Sequence, residues 1–194
     1  VNLEPDLVAL AAQLPKPQLR RPVIVVVMGV SGCGKSTVGK LLSIALDCAL
    51  QEGDDLHSAA NVEKMRIGTP LTDEDRAPWL RSIAAVIDGW LRMGRSGVVT
   101  CSALKRQYRD LIIGPRRGVQ LVHIEGTAEL IGPRMISRAG HYMPASLLES
   151  QLATLEVPGE DERPIVVSGT GTLVDITSYI LEQLAKRDLP GNAE

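Results

Sequence analysis

The stretch Gly29-Val30-Ser31-Gly32-Cys33-Gly34-Lys35-Ser36 constrains this chain more than any other feature, because it satisfies the whole pattern G-x-x-x-x-G-K-[ST]. Its flanks fit the pattern as well. Residues 23 to 28, VIVVVM, form an uninterrupted β-branched run typical of a buried parallel strand. After it, Val38, Leu41, Leu42, Ala45 and Leu46 recur at helical spacing, with Lys40 and Ser43 between them. Glycines let such a loop curl until successive N–H groups converge on phosphate oxygens, and the following helix adds the positive end of its dipole. Lys35 is then placed to reach the β- and γ-phosphates and the Ser36 hydroxyl to occupy a Mg²⁺ position, with Thr37 completing the nucleotide-binding set. These residues predict nucleoside triphosphate binding, an ability that motors, GTPases and small-molecule kinases share.

The strand-loop-helix theme repeats along the chain. Strands are predicted at 48–51, 98–101, 119–124 and 165–168, and helices at 35–47, 59–67, 105–113, 128–138, 146–156 and 173–186. Thr72, followed by Asp73, Glu74 and Asp75, reads as an N-cap with acids in the first turn of a helix running to about Met93. Alternation of this kind implies an α/β fold: a five-stranded parallel sheet with helices on both faces. A chain of 194 residues suits one core, here assigned to residues 22–190 behind a short leader, 1–21.

Composition excludes several function classes. With 21 Lys+Arg against 23 Asp+Glu, the net charge of -2 provides no field for a polyanion, and 3% aromatic residues leave few base-stacking platforms. Nucleic acid is therefore not the expected partner. No segment is apolar for long enough to span a membrane. Cys33, Cys48 and Cys101 form neither a disulfide pattern nor a zinc pattern, which fits a cytoplasmic protein.

The kind of P-loop protein follows from where the acids lie. The third strand ends Val99-Thr100-Cys101-Ser102 without the metal-holding Asp of many P-loop ATPases, and Glu52, Asp54 and Asp55 follow the second strand instead. Carboxylates there can hold metal-bound water or accept a hydroxyl proton, as a kinase for a hydroxylated acceptor requires. No Asn-Lys-x-Asp guanine-reading motif is present.

Further motifs in order are Glu52-Gly53-Asp54-Asp55-Leu56-His57, Asn61 to Met65, Gly68-Thr69-Pro70-Leu71, Asp73 to Leu80, Cys101 to Asp110 and Arg134 to Tyr142. Together with the phosphate loop they resemble the bacterial gluconokinase family across nearly everything after residue 22. The resemblance implies the fold of shikimate and adenylate kinases, with a mobile lid at about 134–150, and phosphorylation of gluconate by ATP and Mg²⁺, at the 6-position. It implies that Asp54 orients the acceptor hydroxyl or takes its proton. Arg76, Lys105, Arg109 and His141 would face the substrate side, His57 and Ser102 would contact hydroxyls, and Arg134 and Arg138 would be the lid arginines that approach adenine and phosphates. Cys33 and Glu52 depart from the residues usual in the family; Glu52 keeps the charge of the common Asp one methylene further out, at the metal shell.

Other readings remain open at this stage. Arg106 reads equally as solvated helix surface, Glu160 to Arg163 as a solvated loop, and Trp79 and Trp90 as packing residues. The chain could phosphorylate another small acceptor, such as shikimate or a nucleoside monophosphate, or bind nucleotide without turnover. Whether it works as a homodimer is left undecided by the sequence.

Overall fold

The computed structural model describes residues 5–126, 131 and 145–188. Its helices are α1 (Pro5–Ala11), α2 (Lys35–Ala45), α3 (Ala59–Arg66), α4 (Asp73–Arg92), α5 (Arg106–Ile112), α6 (Ala145–Thr154) and α7 (Leu173–Arg187). The strands are β1 (Ile24–Met28), β2 (Ala49–Glu52), β3 (Gly97–Thr100), β4 (Val119–Glu125) and β5 (Ile165–Ser168). They form one five-stranded parallel sheet, as the alternating pattern predicts, in the order β2-β3-β1-β4-β5. The helix expected at 128–138 lies outside the described residues except for Ile131, which is buried.

β1 is central, and every one of its residues is fully buried. Its alternate side chains feed two cores. Val25 and Val27 join Leu41, Leu42, Ile180 and Leu181 under α2 and α7, while Ile24, Val26 and Met28 join Trp79, Ile83, Ile87 and Tyr108 under α4 and α5. Such two-sided burial explains why β1 reads as a continuous apolar run rather than an alternating one. The N-terminal segment belongs to the first core, since Leu7, Ala11 and Leu14 are all buried there. Each leucine so buried contributes roughly 1.5–3 kcal/mol.

The long helix α4 starts as expected. Thr72 accepts from the Asp75 N–H at 3.2 Å, and the Asp75 carboxylate accepts from the Thr72 N–H at 3.0 Å, a reciprocal capping box. Lys64 of α3 pairs with the same carboxylate at 2.7 Å, and the Asn61 amide donates to the Asp75 carbonyl at 2.7 Å, so α3 is tied to the start of α4.

Residues 160–163, read from the sequence as a solvated loop, need correction. They include a short 3-10 turn in which Glu162 receives Arg109 at 2.5 and 2.9 Å. Arg106 is spread between Asp110 and Asp161 on the surface.

Candidate active site

In an open parallel sheet the crevice forms beyond the carboxyl ends of the strands where the strand order reverses. Here that point lies beside β1, between β3 and β4, and residues 29–34 cross it. Gly29 has φ 144, and a Cβ there would lie 2.6 Å from the Ile124 carbonyl oxygen and 2.8 Å from the Cys33 sulfur, so only glycine fits. Val30 and the Cys33 side chain are buried in the core, and that burial orients the loop. The loop is therefore anchored by two of its side chains. Lys35 Nζ donates to the Val30 carbonyl at 2.9 Å, which folds the lysine over the curl.

Ser36 stands at the start of α2, and its hydroxyl donates to Glu52 Oε2 at 3.1 Å. The same carboxylate oxygen accepts from the Thr100 hydroxyl. Register brings these residues together, because β2 and β3 pair with Glu52 opposite Thr100. The carboxylate missing from the end of β3 is thus supplied by the neighbouring strand, and Thr100, unassigned from the sequence, orients it.

Directly after Glu52 the chain turns through Gly53–Leu56. A Cβ on Gly53 would meet the Thr100 carbonyl oxygen at 2.4 Å, so glycine permits the close approach. The Trp79 indole N–H donates to the Gly53 carbonyl at 2.7 Å, and its ring stacks on His57 with centroids 4.3 Å apart and planes 12° from parallel. Trp79 is a packing residue, as expected, and it also fixes the turn that presents exposed Asp54. The Cys101 thiol, pushed up to about 12 by burial, feels Lys35 and Asp54 with opposite signs, which places both around the end of β3.

His57 has its pKa lowered chiefly by burial, with Asp54 acting upward and Arg76 downward. Asp54, His57 and Arg76 therefore share one electrostatic neighbourhood. Arg76 lies 6.0 Å over the Tyr108 ring and forms no ion pair among the described residues. Ser102 is half-buried in the segment leaving β3, next to Ala103, whose φ of 43 is left-handed.

Two of the substrate-side expectations change. Arg109 is 2% exposed; Nε and Nη2 hold Glu162, and Nη1 donates to the carbonyls of Ala103, Leu104 and Glu156 at 3.2, 3.2 and 2.9 Å. It holds the loop in place, with all three of its nitrogens engaged and its side chain buried. Lys105 is paired with Asp73 at 2.8 Å, which neutralises its charge, and Asp73 is brought down to about 2 by hydrogen bonds from Lys105 and then Tyr108. Arg134, Arg138 and His141 lie outside the described residues. The expected lid boundary near residue 150 falls within α6, where Leu148 is packed in the core.

His57 and His123 each have a buried Nδ1 without a hydrogen-bond partner, and burial lowers both pKa values below the ordinary 6.5. For His123, Glu125 acts upward and Arg109 downward. The unfolded chain takes up protons that the folded one resists. Stability contributed by the neutral rings is complete above about pH 6.5 and is lost as the pH falls through the lowered folded values. Urea midpoints are therefore expected to drop between about pH 7.5 and pH 5.5, before most carboxylates titrate. A flat midpoint over that interval contradicts this account.

A family model described as an AAA domain matches residues 24–158. A gluconokinase of Gluconobacter oxydans is 54% identical over 153 residues, covering 77% of this chain and 84% of the relative. The crystal structure of a gluconokinase from Sinorhizobium meliloti superposes with a TM-score of 0.76 at 43% identity, over 86% of this chain and 94% of that one. At the level of fold alone, the shikimate kinase of Aquifex aeolicus superposes with a TM-score of 0.56 at 17% identity, over 87% of this chain and all of that one.

Proposed function

The chain belongs to the gluconokinase family of P-loop small-molecule kinases, and on that premise we propose that it transfers the γ-phosphoryl group of ATP to the 6-hydroxyl of D-gluconate with Mg²⁺. The observation that carries the reading is the grouping of Lys35, Ser36, Glu52, Asp54, His57 and Arg76 around the carboxyl ends of β2 and β3.

The backbone of residues 29–34 and Lys35 would bind the phosphates, with Lys35 exchanging the Val30 carbonyl for phosphate oxygens. Asp54 would align the acceptor hydroxyl and receive its proton, while Arg76, a cation with no acid partner among the described residues, suits the gluconate carboxylate. Arg134 and Arg138 complete the proposal as cations that approach the nucleotide on closure.

The donor set at Ser36 and Glu52 fits magnesium, a hard cation that takes oxygen ligands and commonly pairs one or two carboxylates with substrate phosphates. Among the described residues there is no cluster of three or more His, Cys, Asp or Glu that could cage a metal, so phosphates and water would supply its other ligands. Bound there, the ion would neutralise charge on the transferring group. Glu52→Gln is expected to raise the Mg²⁺ concentration needed for half-maximal nucleotide binding by about 10- to 100-fold, with the gluconate KM unchanged. An unshifted Mg²⁺ titration of a fluorescent ATP analogue removes Glu52 from the metal shell.

No helix among the described residues is long and apolar enough to cross a membrane. The test of the acceptor is ADP release measured with gluconate, shikimate, other sugar acids and nucleoside monophosphates. Turnover with gluconate well above all the others supports the reading, and preference for any other acceptor overturns it.

A further inference from the structure

Helix α6 presents Leu148, Gln151, Leu152 and Leu155 at spacings of three and four, the pattern of a core-facing stripe. The leucines behave accordingly: Leu148 is buried and Leu152 and Leu155 pack against the cluster that holds Val30 and Cys33 of the phosphate loop. Gln151 interrupts the stripe at 8% exposure. A polar amide at such a place is costly unless it is hydrogen-bonded. Its Oε1 accepts from the Ser31 N–H at 2.7 Å, across 120 residues of sequence.

The helix that carries it is held at its far end. The Glu156 N–H donates to the Leu104 carbonyl at 2.8 Å, the Glu156 carboxylate accepts from the Arg106 N–H at 2.6 Å, and Arg109 donates to the Glu156 carbonyl. Gln151 is thus offered to the loop from a fixed support. We propose that Gln151 is the positioning residue of the phosphate loop: its side-chain oxygen holds the Ser31 amide and with it the curl of residues 29–34 that receives the triphosphate.

The residue type fits this task better than its neighbours in chemistry. Leucine would continue the apolar stripe but leave the Ser31 N–H without this acceptor. Glutamate would accept equally well and add a negative charge where converging N–H groups and the start of α2 favour an anion. Glutamine accepts without charge.

The proposal rests on nucleotide binding by this loop and not on the identity of the acceptor, so the test uses mant-ATP with Mg²⁺ and no gluconate. Gln151→Leu is expected to raise the mant-ATP Kd about tenfold relative to the parent, by a ratio that does not change with salt. Gln151→Glu keeps the acceptor but sets a buried negative charge against the triphosphate, so it is expected to raise the Kd by at least about tenfold, with little recovery at high salt because a buried pair is weakly screened. Melting temperatures are recorded alongside, and if the leucine variant fails to fold, the glutamate variant carries the test alone. A purely structural glutamine would lower melting temperature while leaving Kd within about twofold of the parent, and that result overturns the proposal. A Gln151→Glu Kd within about twofold of the parent overturns it too. If the parent binds mant-ATP but phosphorylates no sugar acid, the acceptor assignment fails and this inference stands.

Discussion

Asp54→Asn is expected to lower kcat by about 10²- to 10⁴-fold, the range for loss of a positioned acid–base group, while the Kd for ATP stays near that of the parent. The substitution keeps the size of the side chain but removes its charge and replaces one acceptor oxygen with an NH2 donor. Asp54 sits on a turn fixed from two sides, by the Trp79 N–H on the Gly53 carbonyl and by the close contact of Gly53 with the Thr100 carbonyl, so the variant should retain the backbone that presents it. Phosphoryl transfer passes through a loose transition state, in which aligning the attacking oxygen matters as much as removing its proton. Single-turnover measurement with saturating ATP and gluconate separates chemistry from product release. A rate within about threefold of the parent would end the assignment, since a positioned acid–base group is worth far more than that.

The second large effect concerns stability. Arg109→Met is expected to cost about 3–5 kcal/mol, because it removes the two-pronged partner of the Glu162 carboxylate and leaves it with the Gly159 N–H and with Arg106 only at 3.9 Å. The side chains of the pair are 2% and 9% exposed, and the contact is two-pronged at 2.5 and 2.9 Å. The loss extends to the segment after β3, where Ala103 adopts a left-handed conformation that is unfavourable for a residue with a Cβ. Three carbonyls around that segment and α6 converge on Arg109 Nη1, and conformations of this kind persist where surrounding contacts over-determine them. Urea unfolding reads the cost directly, and the double variant Arg109→Met with Glu162→Leu should regain much of it. A single-variant loss below about 1 kcal/mol would show the pair to be an ordinary surface contact.

What was legible in the sequence was local. The phosphate loop could be read because all its functional groups lie within Gly29 to Ser36, and α4 because Thr72 and Asp75 cap each other across one turn. The five-stranded parallel sheet follows from the alternation of strands and helices, whereas its order β2-β3-β1-β4-β5 is a matter of tertiary pairing. Arg109 was misread because a basic residue on a short helix looks the same whether it faces a ligand or a carboxylate 53 residues away. Thr100 gave a weak signal, a hydroxyl ending an apolar strand, but its meaning depends on pairing with Glu52, 48 residues earlier. Gln151 gave almost none: a single polar position in an apolar stripe acquires its role only when α6 lies against the loop. Groups joined by tertiary packing over such separations leave no pattern that spacing alone can reveal.

The packing of α1 on both α2 and α7 also sets an order of assembly. There α1 completes its layer against α7, and the backbone N–H of Arg20 donates to the Asp188 carboxylate, so segments far apart in sequence meet. A nascent chain leaving the ribosome carries Leu7, Ala11, Leu14 and the outer side of α2 uncovered until α7 has been synthesised. Closure of that layer therefore waits for the synthesis of α7, and until then the growing polypeptide exposes an apolar strip that the folded molecule covers.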